Sequence, residues 1–124
     1  MAVVVKNNLV GIISQISPNL SKVDLVNNSS SSFTAKTQNG AVGIFKGGAN
    51  LTLNNVLLSE NLKTGELVLT KGDIDINGIG IPADLIVGKI TSIEKNPSDL
   101  FQKAEVQTSI DFTKLTKVFV LLNQ

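Results

Sequence analysis

The side chains of this 124-residue chain that could move protons or hold metals are ten carboxylates and eleven lysines; it has no His, Cys, Tyr or Arg. Ser-His-Asp and Cys-His nucleophile systems therefore cannot be built, nor can zinc sites based on imidazole or thiolate. Three strings imitate a serine penicillin-recognising enzyme: Ser92-Ile93-Glu94-Lys95, Ser59-Glu60-Asn61 and Lys63-Thr64-Gly65. That chemistry needs the serine at a helix start with the lysine one turn later on the same face. Here Ser92 and Lys95 fall in and after a predicted strand. Three residues apart on a strand, they point to opposite faces. The order of the strings is also wrong, so catalysis is not expected. Asp73-Ile74-Asp75-Ile76-Asn77-Gly78 is the sharper pattern. It matches the first half of a calcium loop, with Asp73, Asp75 and Asn77 as alternate oxygen ligands and Asp84 at the closing position. Against it, the closing residue is Asp rather than a bidentate Glu, Pro82 interrupts the loop, and the flanks read as strands. The plainer reading is a polar hairpin tip whose Asp and Asn support the turn. Glu66 and Glu94, or Asp73 and Asp75, could be paired as glycosidase carboxylates, but such a site needs a defined separation and a sugar cleft rich in aromatics, and the chain has no Trp or Tyr. Solvated surface charge is the expectation for both pairs.

Composition narrows the classes further. The net charge is +1 and no like-charged run occurs. A nucleic-acid binder would show a basic stripe, stacking aromatics and arginines, so nucleic acid is not expected as a partner. No apolar run is long enough to span a membrane. The opening Met1-Ala2-Val3-Val4-Val5-Lys6 is too short and wrongly charged for a signal peptide. An exported protein would therefore have lost its targeting segment, and an excised piece is the expectation. The only aromatics are five Phe, so a core of Val, Ile and Leu is expected, which favours strands.

The elements follow from short β-branched runs broken by Gly, Asn, Ser and Pro. Strands are predicted at 3–5, 9–16, 22–26, 33–37, 41–45, 51–54, 66–70, 85–94, 102–108 and 117–122. Turns fall at Asn7-Asn8, Pro18-Asn19, Asn39-Gly40 and Gly47-Gly48, about every ten residues, the rhythm of a sandwich or barrel. The Asn39-Gly40 turn is expected to need positive φ at both residues. Gln102, Ala104 and Val106 alternate with Lys103, Glu105 and Gln107, so that strand has one wet face. Val118 to Leu122 is apolar throughout and should be covered on both sides. Helical periodicity is confined to one turn at 111–115. The length fits one domain, or two very small ones.

Five strings, in order, resemble a known family. Leu9-Val10-Gly11-Ile12-Ile13, with Ile16-Ser17-Pro18-Asn19-Leu20-Ser21-Lys22-Val23, comes first. Then come Lys63 to Gly72, Ile81-Pro82 with Val87-Gly88-Lys89-Ile90, Leu100-Phe101-Gln102-Lys103-Ala104-Glu105-Val106, and Leu115 to Leu122. Together they are similar to the C-terminal region of the rod shape-determining protein MreC. In that family a membrane helix and a coiled coil precede two small β-barrels outside the cytoplasmic membrane.

The resemblance implies that residues 1–124 are the second barrel alone. It implies an all-β, six- or seven-stranded antiparallel Greek-key barrel, similar to a chymotrypsin-type half barrel, with no active site and no cofactor. It also implies a scaffold of bacterial cell-wall elongation with three partners: a class B penicillin-binding transpeptidase, a membrane protein of the MreD type, and other copies of the chain. The alternative is a small cell-surface calcium- or glycan-binding module using Asp73, Asp75, Asn77 and Asp84. Apolar positions left after the core is filled are the candidate contacts. They are Ile74, Ile76, Ile79 and Ile81 in the excursion, and Val118, Phe119, Val120, Leu121 and Leu122 near the end.

Overall fold

A computed structural model describes residues 2–16, 21–29, 31–74, 80–108, 110 and 119–121, with residues 14–16, 21, 22, 73, 74, 80 and 119–121 described by their backbone alone. The strands are β1 (Ala2–Val5), β2 (Asn8–Ile16), β3 (Ser21–Leu25), β4 (Ser32–Thr37), β5 (Val42–Lys46), β6 (Leu51–Leu57), β7 (Leu67–Thr70), β8 (Asp73–Ile74), β9 (Gly80–Ile81), β10 (Ile86–Glu94), β11 (Phe101–Gln107) and β12 (Phe119–Leu121). No helix occurs among the described residues. The helical turn expected at 111–115 and the turn at Pro18-Asn19 lie outside them.

Six strands close on themselves. β4 pairs β5, β5 pairs β6, β6 pairs β11, β11 pairs β10, β10 pairs β7 and β7 returns to β4, all antiparallel. Three consecutive strands followed by a fourth that lies beside the first is the Greek-key order. The expected barrel is therefore present, with six strands, inside residues 32–107. The strands at the two chain ends fall outside it. β2 pairs β1 on one side and β3 on the other, and β1 pairs β12, giving an open sheet in the order β3-β2-β1-β12. A single parallel pair, Asn8 with Ile86, joins this sheet to the barrel.

Burial follows strand alternation. Along β11 the residues are in turn exposed and buried, Gln102, Ala104 and Val106 facing inward. Leu53, Val56, Val68, Val87 and Ile90 complete the centre together with a stacked Phe33–Phe45 pair, ring centroids 4.8 Å apart. The core thus uses Phe33 and Phe45 as well as the expected aliphatics. Its order comes from directional contacts. Buried Thr70 donates from Oγ1 to the Pro82 carbonyl at 2.6 Å and accepts from the Leu85 amide at 2.9 Å, fastening the excursion between β7 and β10.

Two turns differ from expectation. In the β4–β5 connection only Gly40 takes positive φ, +93°. The Gly40 amide bonds the Thr37 carbonyl and the Thr37 amide bonds the Ala41 carbonyl. The loop is therefore a turn closed by a left-handed glycine, the bulged hairpin class, rather than a turn with two positive-φ residues. At the β1–β2 hairpin the turn residues are Lys6 and Asn7, since Asn8 already pairs with Val5.

The barrel and the open sheet meet at a seam. Gly47 donates to Ser31 and Gly48 to Asn27, while Ser31 Oγ donates to the Leu25 carbonyl at 2.6 Å. A Cβ on Gly47 would collide with the Val26 and Asn28 carbonyl oxygens, so only glycine lets the two strand ends approach.

Candidate functional site

Among the described residues, those singled out for chemistry do not assemble. Asp84 takes φ +69° and its carboxylate pairs with Lys36 Nζ at 2.7 Å. Asp73 lies in β8, opposite Ile81; Asp75 and Asn77 lie outside the described residues. Among the described residues no group of three or more acidic side chains could hold a metal ion. Glu66 differs from its expectation as a solvated surface charge: it is 6% exposed. Its carboxylate accepts from the Asn39 amide at 3.0 Å and the Lys63 amide at 3.2 Å. It thereby ties the β4–β5 turn to the turn before β7, because buried carboxylates need such donors. Glu94 is exposed and lies 3.5 Å from Lys103 Nζ. Ser92 and Lys95 are both exposed, Ser92 within β10 and Lys95 just past its end.

The candidate contact residues divide in three. Ile81 is 6% exposed and belongs to the barrel core. It is corrected from surface to core, because it joins Leu85 and Val87 in the buried apolar cluster. Ile76, Ile79, Val118 and Leu122 lie outside the described residues. Ile74 sits in β8, paired with Gly80, and Phe119, Val120 and Leu121 form β12. Among the described strands β12 pairs β1 alone and β3 pairs β2 alone, so each leaves one edge without a ladder. Unpaired edges are ready templates for another strand. On β3 the side chain of Val23 is 37% exposed.

A second exposed apolar group lies at one end of the barrel. Leu57 and Phe101 are register partners on β6 and β11, and Leu100 accepts from the Leu58 amide at 3.1 Å. Leu57, Leu100 and Phe101 are 53%, 79% and 46% exposed. Gln102 steadies this end by donating from Nε2 to the Leu57 and Glu60 carbonyls. The sequence reading missed these three as surface residues, although the signal was there. Continuing the wet face of Lys103, Glu105 and Gln107 back by two residues places Phe101 on it. Two larger grooves, about 670 and 590 Å³, flank the end of β11 and share Thr91, Gln107 and Thr108.

These features define a class: a closed β-barrel with an appended open sheet that offers, among the described residues, strand edges and apolar patches. The model of the rod shape-determining protein MreC barrel core matches residues 1–122, and the chain belongs to that family. This is a structural, shape-determining family and not one of enzymes.

Solved structures agree in fold. MreC of Listeria monocytogenes is 26% identical with a TM-score of 0.76, over 90% of this chain and 55% of that one. MreC in a complex with the penicillin-binding protein PBP2 from Helicobacter pylori is 21% identical with a TM-score of 0.70, over 88% and 67%. The major periplasmic domain of the cell shape-determining filament MreC is 23% identical with a TM-score of 0.72, over 89% and 69%. The chain thus spans between about half and about 70% of the length of these structures. A search of curated proteins gives no match.

Proposed function

We propose that this chain is a non-catalytic scaffold of bacterial cell-wall elongation, acting outside the cytoplasmic membrane and docking to a class B penicillin-binding transpeptidase. The observation that carries this reading is the family match over residues 1–122. The Helicobacter pylori complex, in which an MreC is bound to a penicillin-binding protein, supports the choice of partner. The periplasmic origin of a similar domain supports the location. A membrane protein of the MreD type and further copies of the chain are the other partners of this proposal.

The open sheet is the proposed docking element, with Phe119, Val120 and Leu121 of β12 and Val23 of β3 at its edges. Strand addition there would satisfy backbone donors and acceptors while side chains set specificity. The scaffold would act by binding one conformation of the transpeptidase more tightly than the other, raising its population. Calorimetric titration of the chain with the extracytoplasmic region of the same organism's transpeptidase tests this. Saturable binding at about 1 µM or tighter, roughly −8 kcal/mol, is expected. A folded chain that fails to bind would refute it.

A further inference from the structure

A pocket of about 300 Å³ lies beside the apolar patch at the end of the barrel. It forms at a β-bulge. Val56 pairs with Gln102 and Leu53 with Ala104, so Asn54 and Asn55 together oppose the single residue Lys103. In a regular strand consecutive side chains point to opposite faces. At the bulge, with Asn55 at φ +58°, both residues instead line one cavity. The opposite wall is the β10–β11 loop. There Asn96 Oδ1 accepts from the Ser98 amide and hydroxyl, and the Asp99 amide bonds the Asn96 carbonyl. Phe101, 46% exposed, contributes the aromatic surface.

The remaining hydrogen-bonding capacity is specific. Asn54 spends Nδ2 on Thr52 Oγ1 at 2.8 Å, which leaves Oδ1 as an acceptor. Asn96 spends Oδ1 on Ser98, which leaves Nδ2 as a donor. One acceptor and one donor on residues that line a common cavity complement the N–H and C=O of an acetamido group. The Asp99 carboxylate, which makes no ion pair among the described residues, adds an acceptor for sugar hydroxyls. The exposed ring suits the apolar face of a pyranose. The volume is at the lower limit for small-molecule sites and fits one or two sugar rings.

We infer that this pocket binds a β-linked N-acetylhexosamine oligosaccharide. The choice of amino sugar, though not the pocket, rests on the cell-wall reading above. Chitotetraose is the probe and maltotetraose, which lacks acetamido groups, the control.

In ¹⁵N-resolved NMR titrations of the whole chain, chitotetraose is expected to shift the amides of Asn55, Asn96, Asp99 and Phe101 saturably. Maltotetraose is expected to leave them in place. Phe101→Ala and Asn54→Ala are each expected to weaken binding about tenfold. Their circular dichroism and melting should stay those of the parent. Absence of shifts, equal shifts with maltotetraose, or folded variants that bind as tightly as the parent would overturn the inference. Transpeptidase binding, measured on the same samples, separates the two ideas: it is expected to persist in both variants, and its loss in the parent chain would count only against the scaffold reading.

Discussion

The closed barrel and the open sheet are built from similar residues and differ in what happens to their edges. Each barrel strand from β4 to β7, β10 and β11 has a neighbour on both sides. In the sheet β3-β2-β1-β12 the interior strands are also apolar, with Ala2, Val3, Leu9 and Val10 buried, yet among the described strands β3 and β12 each keep an edge. Closure removes the hazard of edge pairing, whereas an open edge keeps a surface for strand addition. In the proposed reading the barrel is the base and the sheet the place to bind. The family's scaffold role asks for both.

The contrast can be broken most forcefully at the barrel centre. Phe45 is fully buried and stacked on Phe33. Phe45→Ala should cost about 3–5 kcal/mol, read as a lower midpoint in urea denaturation. The seam is next. Gly47→Ala places a methyl against the Val26 and Asn28 carbonyls and should cost about 1–3 kcal/mol. Its signature is faster amide hydrogen exchange at 26–28 and 47–48 with the barrel centre unchanged. The smallest expected change is at the open edge. Val23→Lys on β3 should leave stability within about 0.5 kcal/mol, because the side chain already meets solvent. The same substitution should weaken transpeptidase binding in the calorimeter, which would show that this edge is for contact rather than folding.

The sequence made local features legible and long-range ones much less so. Alternation identified β11, including which residues face inward, because a period of two is written into adjacent residues. Turn chemistry marked Gly40 and Gly47-Gly48. The class of barrel came from five ordered strings rather than from periodicity. Which strands close the barrel was not visible, since the β7–β4 and β11–β6 pairings join residues far apart in the chain. The same cause hid two functional assignments. Ile81 reads as a spare apolar residue beside polar ones, but the return of β9 buries it. Glu66 reads as surface charge, but two backbone amides from separate turns satisfy it in the interior. The pocket at Asn54-Asn55 depends on a bulge, and a bulge shows only when two strands are laid side by side.

Hydrogen exchange of the chain alone and in complex with the extracytoplasmic region of its transpeptidase tests the division into base and binding sheet most directly. Protection gained at β3 and β12, with the six barrel strands unchanged, is the expected result. Protection gained on the barrel strands while both sheet edges exchange as before would contradict it.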